Sequence, residues 1–150
     1  FYKPAFSFRK SLSPHQAAKY ENVSINLNNI KKPITNNPLI IEGIGGILVP
    51  LNNKNLIIDL IKKLKFPVII VSRSTLGTIN HTLMTIKILR QNKIKIYGVV
   101  LNGVMNKKNA QSIEHFGKVK VLAQIPFFKK ISLKKIKNFT NQNPLKIFKP

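Results

Sequence analysis

Apolar residues along this chain fall into two kinds of pattern, short unbroken runs and helical stripes. Four runs are dense enough for buried strands: residues 39–42, 67–72, 94–102 and 119–125. Between the first two, residues 55–65 place Leu56, Ile57, Leu60, Ile61 and Leu64 on one face, which is the three-four spacing of an amphipathic helix. Residues 78–92 repeat that spacing with Ile79, Leu83, Ile86 and Leu89. A third helix is predicted over 109–116, with Gly117 placed to close it as a C-cap. Strand, helix, strand repeated in this way predicts an α/β fold, with a parallel sheet, right-handed crossovers and helices on its faces.

The first quarter of the chain is less regular. Residues 1–5 read as a short extended piece, residues 11–15 as a loop turning at Pro14, and residues 16–20 as the opening of a short helix. Residues 22–38 are rich in Asn, Lys and Pro and read as a connector. The length suits one domain over 1–150, with a basic tail over 127–150, and 43% hydrophobic residues supply a core.

Charge changes the picture less than its size suggests. Lys and Arg number 26 against four acids, for a net charge of +22, a balance that raises nucleic acid as a partner. The basic residues are nevertheless scattered through nearly every segment, and the dense cluster lies in 129–137. Scatter of this kind reads as a solvated surface rather than a binding face. Two other readings attach to the tail: phosphate contacts of a nucleic-acid-binding remnant, and a basic amphipathic helix carrying Ile131, Leu133, Ile136 and Phe139 against anionic membranes. There is no cysteine, which excludes disulfides and thiolate metal sites and fits a reducing compartment. No apolar run approaches the roughly 20 residues of a membrane span. The chain starts at Phe1 with nothing resembling a signal peptide, and the expectation is that residues precede it.

In parallel α/β sheets, ligands bind beyond the C-terminal ends of the strands, where helix N-termini converge. Glu42, residues 73–78, Asn102-Gly103 and Pro126 all fall at such ends. Glu42 is one of four acids and precedes Gly43-Ile44-Gly45-Gly46, a context in which a carboxylate can hold a metal above a backbone that phosphates approach closely.

Three stretches carry a resemblance: residues 41–51 (IEGIGGILVPL), residues 67–83 (PVIIVSRSTLGTINHTL) and residues 98–103 (GVVLNG). Together with Tyr2-Lys3-Pro4 and residues 11–15, they closely resemble dethiobiotin synthase. The resemblance covers the chain except for the connector and the tail. It implies a three-layer parallel sheet of the P-loop NTPase type, lacking its first strand and helix. The implied activity is a cytoplasmic, homodimeric ligase of biotin synthesis, which closes the ureido ring of 7,8-diaminononanoate with carbon dioxide, ATP and Mg2+. Glu42 would ligate the Mg2+, and Gly43, Ile44 and Gly45 would let backbone approach the phosphates. Lys3 would neutralise the carbamate and the transferred phosphoryl group. Asn102, with Gly103, would recognise the adenine edge, and Pro126, Phe127 and Phe128 would complete that pocket; both phenylalanines read equally well as core. Leu76, Gly77 and Asn80, at a helix start, would bind the carboxylate of the substrate tail across the dimer interface. Thr78 also suits the N-cap of that helix, and His81 reads as a packing residue.

The sequence departs from the family pattern in two places. No glycine-rich loop ending in Lys-Thr occurs in these 150 residues. After Lys3-Pro4-Ala5 the chain passes directly to Phe6-Ser7-Phe8, without the segment that carries the family's second acidic Mg2+ ligand. The resemblance therefore implies that these residues alone have lost most triphosphate affinity and are inactive by themselves.

Overall fold

The structure is a computed structural model that describes residues 2–142. It divides into two compact units, residues 1–66 and residues 67–150.

In the first unit, helix α1 (Pro14–Tyr20) begins at Pro14 itself, whose fixed φ suits the first helical position, so the expected loop turn is a helix start. A 3-10 turn (Leu27–Asn29) follows, capped by Asn26. The connector is not wholly unpacked, because Ile25 is buried and its carbonyl accepts a 2.9 Å bond from Asn52 Nδ2. The Oδ1 of Asn52 in turn accepts from the backbone N–H groups of Lys54 and Asn55, both at 2.8 Å, so this side chain organises the turn before helix α2 (Ile57–Leu64). Asp59 accepts from the Leu56 N–H at 2.9 Å, and Lys65 in the left-handed region ends the helix. Ile57 and Ile58 face the small core of this unit.

Residues 39–42 form no strand, contrary to the apolar pattern. Ile40, Ile41 and Glu42 are exposed, and the one β-bridge of the unit among the described residues is the isolated pair Pro50 and Leu56. An extended run needs a neighbouring ladder to satisfy its backbone groups, and among the described residues this unit offers none.

The second unit is a parallel sheet of β1 (Val68–Arg73), β2 (Ile96–Asn102) and β3 (Val121–Ile125), in that order. Helix α3 (Thr78–Gln91) joins the first two strands, helix α4 (Lys107–Gly117) joins the last two, and α5 (Leu133–Gln142) follows. Strand, helix, strand therefore appears as the pattern of 67–125 predicts. The Oγ1 of buried Thr82 donates to Ser72 Oγ at 2.8 Å, which fixes α3 on the face shared by Ser72 and its register partner Leu101. Ile86, Leu89, Val99, Leu101 and Ile113 fill the space between sheet and helices. Burying such side chains contributes roughly 1.5–3 kcal/mol each.

Gly117 does not act as the C-cap of α4. It is the last helical residue, Lys118 takes the left-handed cap conformation, and a Cβ on Gly117 would lie 2.9 Å from Ile86 Cδ1. Glycine here permits close approach of α4 to α3. The tail forms helix from Leu133, with Phe128 packed edge-on to Phe139; residues 143–150 of the predicted tail lie outside the described residues. No helix among the described residues is long and apolar enough to cross a membrane.

Candidate functional site

The C-terminal ends of the three strands are level. Arg73 pairs in register with Asn102, and Asn102 with Ile125, so the loops after all three strands leave the sheet along one edge. Backbone bonds continue past the strands: Ser74 N–H donates to the Asn102 carbonyl (3.2 Å) and Gly103 N–H to the Ile125 carbonyl (2.8 Å). Asn102, Gly103, Pro126, Leu76, Gly77 and Asn80 all stand on this edge or in the loops and helix start directly beyond it.

The Asn102 backbone is held by the sheet while its side chain is exposed and makes no hydrogen bond among the described residues. Most other asparagine side chains around this edge are engaged; Asn106 accepts from Asn109 N–H at 3.0 Å, and Asn109 Nδ2 donates to the Ser74 carbonyl at 3.2 Å. An exposed amide with a donor and an acceptor both available can read a base edge. Gly103 has φ +130°, a conformation that disfavours any side chain, and a Cβ there would sit 2.7 Å from Ser74 Oγ. Gly103 thus makes a tight turn that only glycine suits, and this is compatible with a recognition role for the exposed Asn102 amide beside it.

The loop from β1 to α3 ends at Gly77, which is itself the N-cap with φ +89°; Thr78 is the first helical residue rather than the cap. Leu76 is fully exposed and Asn80 is exposed. Beneath them, Ser74 Oγ and Thr78 Oγ1 are buried with no hydrogen-bond partner among the described residues. Two desolvated, unsatisfied hydroxyls at a helix N-terminus leave donors available to an anionic group. His81 is exposed in the first turn, beside Gly77. Beyond β3, Pro126 is half-buried, Phe127 is 76% exposed and Phe128 stacks edge-on with Phe139, so Phe127 is not core.

In the first unit, Glu42 and Lys3 are exposed. Each of the other three acids accepts from a backbone N–H: Glu21 from Arg9 at 2.7 Å, Asp59 from Leu56, and Glu114 from Val121 at 2.9 Å. Glu42 alone makes no such bond among the described residues. Its glycines differ from one another. Gly45 has φ +67° and a Cβ would meet Val49 at 2.9 Å, whereas a Cβ on Gly43 would lie an ordinary 3.8 Å from Ile57 and one on Gly46 would meet nothing. Internal packing explains Gly45; it does not explain Gly43 or Gly46. The amides opening α2 are already used, with Ile57 donating to Val49 and Ile58 to Ile47 carbonyls, so this helix start is no anion site. Among the described residues no three His, Cys, Asp or Glu side chains gather to cage a metal.

Sequence reasoning placed Ser74 at a strand end and Asn109 at a helix start, but did not find the polar bonds by which these two, with Asn106 and Gln124, knit the strand ends. The available signal was Asn106 three residues before Asn109, an N-cap pattern that also corrects the start of α4 from 109 to Lys107.

A family described as an AAA domain matches residues 1–135. An ATP-dependent dethiobiotin synthetase of Paramagnetospirillum magneticum is 53% identical over 114 residues, covering 76% of this chain and 56% of that protein. One from Lawsonia intracellularis is 45% identical over 145 residues, 97% of this chain and 71% of that protein. The biotin biosynthesis bifunctional protein of Bordetella avium is 41% identical over 141 residues, 94% of this chain and 30% of its own length. The chain thus spans only part of the length of each of these relatives.

Proposed function

We propose, since this chain belongs to the dethiobiotin synthetase family, that it takes part in ATP-dependent closure of the ureido ring of 7,8-diaminononanoate. In that reaction one substrate amine combines with carbon dioxide to give a carbamate. The γ-phosphoryl group of ATP passes to the carbamate oxygen, and the second amine then attacks the carbon and expels phosphate. Asn102 reads the adenine edge, with Gly103 turning the chain tightly against Ser74 just after it and Pro126 to Phe128 lining the approach. Leu76, Gly77 and Asn80 hold the substrate carboxylate at the start of α3, in a homodimer where that carboxylate belongs to the partner's substrate. Thr78, with its buried hydroxyl, stands ready to donate to the same group. Lys3 offsets the negative charge of carbamate and phosphoryl oxygens.

Glu42 fits Mg2+ in a limited sense. Magnesium bound with a nucleotide takes one or two carboxylates rather than a protein cage, and Glu42, an exposed carboxylate with no internal partner among the described residues, would hold it. When bound, the ion offsets charge on the phosphates during transfer. The setting is the cytoplasm, where ATP and the biosynthetic substrate are available.

The observation that carries this reading is the unpartnered amide of Asn102 at the level strand ends. The group proposed to tell one nucleotide from another is therefore the Asn102 amide at the base. Titration with AMP, ADP, ATP and GTP at physiological salt tests this. AMP, ADP and ATP should each bind much more tightly than the matching guanine nucleotide, GTP serving as the comparison for ATP. Equal binding of GTP and ATP would mean that the basic surface merely attracts polyanions.

A further inference from the structure

The ends of β1, β2 and β3 are tied by side chains as well as by the sheet. Gln124 Oε1 on β3 accepts from the backbone N–H of Asn106 at 3.1 Å, and Asn106 Oδ1 accepts from Asn109 N–H at 3.0 Å. Asn109 Nδ2 then reaches back to the carbonyl of Ser74, at 3.2 Å and 35 residues away in sequence. Ser74 closes the circuit, because its own N–H donates to the carbonyl of Asn102 and its hydroxyl lies against Gly103. The loop holding Leu76 and Gly77 and the turn holding Asn102 and Gly103 are therefore fastened to one residue, Ser74, which α4 grips through Asn109.

We propose that Asn109 is a positioning residue that holds the adenine end and the carboxylate end of the site in one arrangement. Asn109 touches neither ligand. It sets where the Ser74 backbone lies, and Ser74 fixes both the start of the carboxylate loop and the Gly103 turn. This rests on the functional reading above. In the homodimer of that reading the carboxylate end serves the partner's substrate, so the clasp links one subunit's nucleotide to its partner's substrate.

The test is Asn109→Asp in the protein that carries this chain. The substitution is isosteric and puts an acid in the first turn of α4, where the helix dipole favours it. It replaces the amide donor by a carboxylate oxygen facing the Ser74 carbonyl, while the Asn109 N–H to Asn106 bond survives. Asn109→Ser, which withdraws the donor without adding charge, is the second variant, and a thermal melt of each reports folding. ADP and 7,8-diaminononanoate are titrated separately by calorimetry. Losing one hydrogen bond of ordinary strength should weaken each ligand about fivefold, in both variants, with the melting transition retained. If the wild-type protein binds both ligands and the variants bind them equally well, or lose affinity for one alone, the clasp is overturned and the functional reading stands. If the wild-type protein binds neither ligand, the functional reading fails and takes the clasp with it.

Discussion

Replacing Gly103 by alanine puts two costs on one position, and the structure separates them. The first is backbone strain: φ is +130°, where a residue with a Cβ is held at a cost of about 1–3 kcal/mol. The second is the 2.7 Å approach of the new Cβ to Ser74 Oγ. That hydroxyl has no hydrogen bond to hold it, so it can turn aside, and the steric part is limited to about 1 kcal/mol. Strain therefore dominates, and Gly103→Ala should lose about 2–4 kcal/mol out of a typical 5–15. Ser74→Ala removes the clashing atom and leaves the Ser74 Cβ at 3.8 Å, ordinary contact. Alone it should be neutral or slightly stabilising, because it deletes a desolvated, unsatisfied hydroxyl. In the double variant, urea unfolding followed by circular dichroism should return about 1 kcal/mol of the loss and no more. Recovery of more than half the loss would show that sterics, not φ, require glycine here. Full stability of Gly103→Ala would refute the argument altogether.

Three further outcomes follow from individual side chains. Thr78→Val removes the other buried, unpartnered hydroxyl, so urea unfolding should show equal or greater stability while calorimetry shows weaker binding of 7,8-diaminononanoate; a loss of stability would mean the hydroxyl has an internal role. Asp59→Ala deletes the carboxylate that receives the Leu56 N–H at the start of α2 and should cost about 1 kcal/mol in the same unfolding assay. Glu42→Gln should leave stability unchanged within about 0.5 kcal/mol, since this exposed side chain has no partner among the described residues. It should also abolish whatever increase in ATP affinity Mg2+ produces, leaving the metal-free affinity intact.

The second unit was legible because its signals are redundant. The runs before Arg73, Asn102 and Pro126 are apolar, long enough for strands and separated by amphipathic stripes, so periodicity and the required tertiary partners agree. Residues 39–42 show the reverse: the run is as apolar as a strand, but apolarity does not supply a ladder, and no neighbouring strand is present in that unit among the described residues. Gly117 misled for a related reason. Glycine after a helical stripe signals a cap, whereas here the missing Cβ serves contact with Ile86 on another helix, which no local pattern encodes. Among candidate site residues, Glu42 stood out by rarity and by the glycines after it, and Asn102 by its place at a strand end together with the family resemblance. The structure adds that Glu42 is the acid without a backbone donor among the described residues and that the Asn102 amide is unengaged. Ser74, Asn109 and Gln124 were invisible as a group, because the bonds joining them span 18 and 35 residues and depend on strand register.

The most direct test of the central claim is Asn102→Asp, measured by ADP titration beside the wild-type protein. The substitution keeps size and exchanges the amide donor for an acceptor, so an adenine edge read through both groups should bind at least about tenfold more weakly, with folding unaffected. Unchanged ADP affinity in a folded Asn102→Asp variant would contradict the account, because the adenine would then be recognised elsewhere or not at all.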